Sequence, residues 1–439
     1  FVIFESKDKV KHYRPCILLV LILALSSNLL SQKNLYLESQ YSFGNSPWGN
    51  SFLNDIWGYT SADSSEYAIV GLTDGFSVLN IDSANPLELF RINGPLCIWR
   101  DMKVWQNHAY IVHENYIDSN STSSGLIIAD LNYLPDSMPY QSWYGPNNEY
   151  WACHNIFIDE KGIAYLFGNA DTLGESTLIL DLADPKNPLI VGNYMDQYIH
   201  DGFVRGDTLW ASEVYEGQLN ALDVSDPQNI SSYGTIKTPN EFCHNVWLSD
   251  DNGYAFTTDE RRGSYVASFD VSDPSDMQEL DRYEPSYGDS IVPHNTFYLD
   301  GYLITSHYNN GVTMVDAHRP HNLVEVGYYD TSPYNGDGGG FHGCWGVYPY
   351  FPSGRFIASD RQNGLYVLNP DYKRASYLEG IITNSNSNAP LPGVKVEIIG
   401  NHQKETSRID GAYYAGQVEE GTFDIRFTHQ QCQEKIVYG

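Results

Sequence analysis

Short apolar runs that end on Asp or Asn recur along this chain: FSVLNID at 76 to 82, LIIAD at 126 to 130, LILD at 178 to 181, LNALD at 219 to 223, VASFD at 266 to 270, VTMVD at 312 to 316 and LYVLN at 365 to 369. Runs this short, bounded by Gly, Pro, Asn or Asp, suit buried strands rather than helices. Their terminal residues, Asp82, Asp130, Asp181, Asp223, Asp270, Asp316 and Asn369, are spaced by roughly 42 to 53 residues, near the period of a four-stranded propeller blade. Within a unit the order is constant. An opening strand such as HNVWLSDDNG is followed by YAFTTDE, SYVASFD and VSDPSDMQELDRY, and Asp-Pro or a relative marks the turn after the third strand. Seven such units predict seven blades.

The last unit offers HGCWGVYPYF, RFIASD and LYVLN but no fourth strand. NLYLESQYSF at 34 to 43 resembles the fourth strands PLIVGNY and NLVEVGYYD, and adding it to the last unit would close the ring and remove an open sheet edge. After about residue 376 the spacing changes. The expected fold is all-β: a seven-bladed β-propeller over residues 33–376, closed by an N-terminal strand, then a small β-sandwich over 377–439 that is cut short.

Composition supports this, with 439 residues, 42% hydrophobic and 14% aromatic, ample for a large core, and with Gly 37, Pro 21 and Tyr 34 favouring β structure. One segment breaks the pattern. Basic KDKVKHYR precedes PCILLVLILALSSNLLSQ, which reads as a secretory signal over residues 1–32, cut near Ser31 or Gln32 and too short in its apolar core to span a bilayer. Cys16 precedes that core and so does not read as a lipidation site, and no later run could cross a membrane. Beginning at Phe1 and stopping at Gly439, the sequence reads as a fragment. Export would leave Cys97, Cys153, Cys243, Cys344 and Cys432, an odd and scattered set that reads as buried free thiols with at most one incidental bridge. The net charge of −30 repels nucleic acid and anionic membranes. A secreted or outer-surface protein is expected, a monomer whose partner is an extracellular protein or glycan.

Aligning the opening strands pairs Asn54-Asp55, Arg100-Asp101, His154-Asn155, His200-Asp201, His244-Asn245, His294-Asn295 and His342-Gly343. The second position, Asp or Asn in six units, reads as a structural device that accepts from a turn amide or bridges to a neighbour. The first position is mostly His, and in a propeller these side chains gather at one mouth of the central channel. The turn after the second strand lies on that face and carries Asp74, Glu114, Asn169, Glu213, Asp259 with Glu260, His307 and Asp360.

Two readings stay open. His154, His200, His244, His294 and His342 have the donor chemistry of a divalent transition-metal site, with Glu213 or Asp259 as candidate bases. Alternatively each His satisfies a partner in its own or the next blade, giving a polar belt. Arg100, Glu114 and Asp360 complete the predicted ligand face.

Other features carry less chemistry. Trp57, Phe157, Phe203, Trp247, Phe297 and Trp345, fourth in the opening strands, read as packing aromatics. Cys153 and Cys243 each precede a His, but strand alternation points neighbours to opposite faces, against a mixed site. YNGDGGG offers carbonyls and Asp337 to calcium without the alternating acids of a calcium loop, and reads as a rim loop. No serine-hydrolase elbow, paired thiols or nucleotide fingerprint is present.

LILDLADP, LDVSDP and VTMVDAHRP resemble the LVIVD repeat. Together with LNDIWGYTSADSSEYAIVGLTDGFSVLNI, HDGFVRGDTLWASEVYEGQL and PHNTFYLDGYLITSHYNNGVTMVDA, they make residues 34 to 373 similar to the choice-of-anchor B family of exported bacterial proteins. APLPGVKVEI and RIDGAYYAG resemble a carboxypeptidase regulatory-like, transthyretin-like module. The resemblance implies a secreted or surface-held protein and no catalytic residues. The expected function is a binding module on a C-terminal β-sandwich spacer. The alternative is a metal-dependent hydrolase or oxidase using the channel-mouth histidines.

Overall fold

Each recurring apolar run forms the third strand of an antiparallel sheet. The computed structural model describes residues 32–44, 52–115, 125–148, 150–171, 174–285, 291–332, 340–401 and 404–439. Residues 1–31, nearly all of the expected signal over 1–32, and Asp337 lie outside the described residues. Among the described residues every regular element is a strand, and no helix is long and apolar enough to cross a membrane.

Among the described residues, seven consecutive sheets of the repeat pattern follow one another, from Leu53–Thr60, Glu66–Leu72, Gly75–Asn80 and Leu87–Asn93 in sheet 1 to Cys344–Tyr348, Phe356–Asp360 and Gly364–Pro370 in sheet 7. Leu35–Tyr41 supplies the fourth strand of sheet 7, pairing antiparallel with Gly364–Pro370 from Leu35 opposite Pro370 to Tyr41 opposite Leu365. Gln32–Lys33 adds a fifth strand to sheet 6 opposite Tyr329 and Tyr328, which the sequence did not predict. Opening strands contact one another around a ring, and Cys344–Tyr348 of sheet 7 lies against Leu53–Thr60 of sheet 1.

This ring explains the sequence pattern. Third strands such as Leu126–Asp130 and Val312–Asp316 are buried at every residue because sheets pack on both their faces, so they read as unbroken apolar runs. The core lies between successive sheets, as where Ile69, Val78, Met102, Ile111 and Ile127 pack together. Outer strands such as Leu87–Asn93 are largely open. The closing acids start turns: Asp130, Asp181, Asp223, Asp270 and Asp316 each accept the N–H two residues on.

One end of the central channel is plugged. Phe157 meets Phe203 at 5.0 Å, Phe203 meets Trp247 at 4.8 Å, Trp247 meets Phe297 at 4.8 Å and Trp57 meets Tyr348 at 5.0 Å between ring centroids. The channel is therefore a blind pocket open at the histidine end.

Beyond Ser376 the chain forms two further sheets, Ser376–Ile381 with Ala412–Gln417, and Lys404–Thr406, Lys395–Ile398, Ile425–Thr428 and Lys435–Val437. This segment is docked on sheets 5 and 6. Arg408 donates to Asp281 at 3.0 Å, Arg319 pairs with Glu379 at 2.9 Å, and Asn322 donates to Glu379 and the Ala415 carbonyl. Burial pushes the Asp281 carboxyl up to about 7, and burial with Asp281 nearby pushes Glu405 up to about 8. A solvated carboxyl titrates near 4. Docking therefore binds protons, is strongest below that range, and weakens as pH rises through 7 to 8. Limited proteolysis of the 370–376 connection is expected to accelerate between pH 6 and 9 in the natural chain, and much less in Glu405→Gln.

Candidate functional site

The repeat does something at the head of each opening strand that alternation alone would forbid. In sheet 5, Cys243 pairs with Asp259 and Asn245 with Thr258, leaving His244 as an extra residue. In sheet 4 the His200 N–H donates to the Ser212 carbonyl while Asp201 is also opposite Ser212, and in sheet 3 His154 and Asn155 share Phe167 in the same way. Such a bulge re-aims a side chain. Here it lets consecutive residues both face the channel: His154 and Asn155, and His294 and Asn295, line one pocket with His200, His244, Asp55, Trp99, Arg100, Asp101 and Trp345, around a small cavity of about 20 Å³.

The imidazoles form a stair around the mouth. Ring centroids are 4.2 Å apart from His154 to His200, 4.2 Å from His200 to His244, 4.6 Å from His244 to His294 and 4.9 Å from His294 to Trp345. Nδ1 of His200 lies 3.1 Å from the His244 carbonyl, Nδ1 of His244 lies 3.2 Å from the His294 carbonyl, and Nδ1 of His294 lies 2.6 Å from the Trp345 carbonyl. A carbonyl can only accept, so each Nδ1 carries the proton and each Nε2 keeps its lone pair. Burial holds the pKa of His200 and His244 well below the usual histidine range and that of His294 near 3, so all three are neutral.

Around these rings the predicted residues separate into two groups. Glu114 faces the mouth, with Oε2 3.3 Å from Nδ1 of His154, and Arg100 lines it while donating to the carbonyls of Leu72 and Pro95. Burial lowers the Arg100 pKa to about 10. Glu213, Asp259 and Asp360 turn away. Glu213 accepts from Gln218 and Asn220 inside sheet 4; Asp259 accepts the Asn240 N–H; Asp360 accepts from Thr331, Gln362 and Asn363. Glu260, one residue beyond Asp259, takes the place expected of a base: its Oε2 is 3.6 Å from Nε2 of His244, its Oε1 is 3.8 Å from Nε2 of His294, and Tyr308 donates to Oε1 at 2.5 Å. A one-residue step past the strand end exchanges the sheet-facing side for the channel-facing one.

His342 is displaced from the stair altogether. It is exposed and meets Gln362 at 3.1 Å. Sheet 7 pairs Cys344 with Asp360 and Gly346 with Ser359, as sheet 5 pairs Cys243 with Asp259 and Asn245 with Thr258. Trp345 thus stands at the histidine position, Gly346 at the Asp/Asn position and Tyr348 at the aromatic position given to Trp345. Matching CWGVY to CHNVW, rather than matching His to His, would have found this register.

Below the imidazoles, the second-position residues form their own ring. Oδ1 of Asp55, Asp101, Asn155 and Asp201 each accepts the next residue's N–H, while Asp101 also accepts from Ile156, Asn245 donates to Asp201, and Asn295 donates to Asp55 at 3.2 Å. That last bond runs from sheet 6 to sheet 1 past Gly346, where a Cβ would sit 2.2 Å from the Asp55 carboxylate. Lys103 enters the ring, with Nζ 2.8 Å from both Asp101 oxygens and 4.5 Å above the Trp57 ring. The five cysteines among the described residues are free thiols, all buried except Cys432. Cys153 and Cys243 face into the sheets, where burial raises their pKa.

Comparison with solved structures establishes the architecture. The chain is similar to the β-propeller domain of Cps50 (Swd1) from Myceliophteria thermophila, with 10% identity over 77% of this chain and 100% of that one and a TM-score of 0.50. It is also similar to a protein described as a 6-phosphogluconolactonase from Bacteroides uniformis, with 13% identity over 78% of this chain and 95% of that one and a TM-score of 0.51. The fold is a β-propeller. No protein-family model matches the sequence, and no curated protein matches it significantly.

Proposed function

We propose that this is a seven-bladed propeller of the LVIVD, choice-of-anchor B type, exported and monomeric, that binds an extracellular glycan or protein on its histidine face, with residues 377–439 as a docked β-sandwich. One observation carries the binding reading: large aromatic side chains are exposed on the loops entering that face. Trp99, Trp151, Tyr215 and Phe341 are exposed at 41%, 44%, 71% and 51%. Trp99 precedes Arg100, Trp151 precedes the His154 bulge, Tyr215 follows the second strand of sheet 4 and Phe341 precedes the opening strand of sheet 7. Flat aromatic surfaces beside a polar pocket anchor binding partners, whether a sugar ring or a protein side chain. The fold alone does not choose between binding and catalysis.

The test is binding to an immobilised glycan panel, with any hit quantified by titration. Trp99→Ala/Trp151→Ala is expected to weaken the identified ligand at least tenfold while moving stability by no more than about 1 kcal/mol, as for open surface sites. Unchanged affinity in that variant would sink the reading. The alternative, a metal-dependent hydrolase or oxidase, is supported by the imidazole and carboxylate donors at the mouth. Its predicted bases, Glu213 and Asp259, are turned into their sheets.

A further inference from the structure

We propose that Nε2 of His244, Nε2 of His294 and the Glu260 carboxylate bind one divalent transition-metal ion at the floor of the channel mouth, with its remaining positions open to an oxygen-bearing ligand. The argument starts from a conflict. His244 and His294 are each 3% exposed, and their Nδ1 protons are committed to backbone carbonyls. Both Nε2 atoms are therefore acceptors. Glu260, when ionised, is an acceptor too, and it approaches them at 3.6 and 3.8 Å. Three lone-pair donors facing one another, the two imidazoles buried and the carboxylate partly so, gain nothing without a cation between them.

The two spacings between imidazole nitrogen and carboxylate oxygen, 3.6 and 3.8 Å, fit an ion and not a hydrogen bond. All three donor atoms lie within 4.8 Å of one another. Two donors about 2.1 Å from a common ion, at angles between tetrahedral and wider, are roughly 3.4 to 3.8 Å apart. A proton shared between oxygen and nitrogen would draw them to about 2.7 Å. Two imidazoles and one carboxylate form the donor set of open zinc and non-haem iron sites, which keep positions for water or ligand. The supporting shell is also present. Each ligating histidine donates its other N–H to a carbonyl, fixing the ring, and Tyr308 holds Glu260.

This inference extends the binding reading by giving its pocket a metal floor, on which carboxylate or hydroxyl oxygens of a ligand would complete the coordination. It does not depend on which partner the aromatic rim holds.

The test is titration of the chelator-treated, untagged chain with Zn(II) by calorimetry, and with Co(II) by visible absorption. The natural protein is expected to take up one ion per chain and to show Co(II) bands of a site with nitrogen and oxygen donors. Glu260→Gln keeps the shape and the Tyr308 contact, and is expected to weaken the ion by more than about 100-fold, since loss of an outer partner alone costs 10 to 100-fold. Tyr308→Phe, which removes such a partner, is expected to fall in that lower range. His342→Ala should bind as the natural chain does. Circular dichroism and melting of each metal-free variant identify any failure of folding, with Glu260→Gln the decisive variant if His244→Ala unfolds. No uptake by the natural chain, or equal uptake by Glu260→Gln, overturns the site. Neither result bears on the Trp99/Trp151 binding test.

Discussion

Replacing Lys103 with methionine will destabilise the protein by about 3–5 kcal/mol at pH 8, the cost of removing one partner from a buried ionic group. Methionine fills much of the same space, so the loss is electrostatic. Lys103 Nζ lies 2.8 Å from both Asp101 oxygens, and Asp55 and Asp201 in the same ring also feel its charge. The three acids share no other lysine or arginine partner among the described hydrogen bonds and ion pairs. Burial first, and Asp101 second, push Asp55 up to about 8; burial pushes Asp201 up to about 6; Lys103 opposes both shifts. These folded-state values exceed the ordinary carboxyl value near 4, so the folded ring holds protons that the unfolded chain releases. Its contribution to stability is greatest below that range and is lost as pH rises toward 8. Without Lys103 the loss steepens. Urea unfolding should show a small gap between the variant and the natural protein at pH 5 that widens toward pH 8. An equal gap at both values would mean that Lys103 acts through packing on Trp57 alone.

Trp247→Ala should cost a similar amount, about 3–5 kcal/mol, for an unrelated reason. Trp247 is half-buried but central to the plug, with ring centroids 4.8 Å from Phe203, 4.8 Å from Phe297, 5.9 Å from Phe157 and 5.9 Å from Tyr350. It touches both of the large apolar clusters, that of sheets 3 to 5 and that of sheets 6 and 7. Truncation leaves a cavity that cannot collapse, since opening strands fixed by their own ladders hold the surrounding rings apart. Aromatic pairs add about 0.5–1.5 kcal/mol each beyond their area. Trp247→Phe should recover most of the loss. Unlike the Lys103 variant, Trp247→Ala should show the same deficit at pH 5 and pH 8, and calorimetric unfolding at both would separate the two mechanisms.

The sequence by itself determined the repeating unit, because a third strand packed on both faces must be apolar at every position and its closing Asp must start a turn. It also determined that NLYLESQYSF belongs beside the last unit, since an open edge and a spare fourth strand need each other. It determined that a ring of histidines recurs at the strand heads and that Asp or Asn follows for structural reasons. Only the tertiary structure decided which of these side chains meet. A bulge turns His244 and Asn245 to the same side, against simple alternation. One residue separates Glu260, which faces two imidazoles, from Asp259, which caps a loop. A shift of three residues puts Trp345 where His342 was expected. Strand registry and bulge position arise from pairing across the sheet and around the ring, so a side chain's final direction depends on partners far along the chain. The local pattern carries the period of the fold, whereas the site depends on phase within that period.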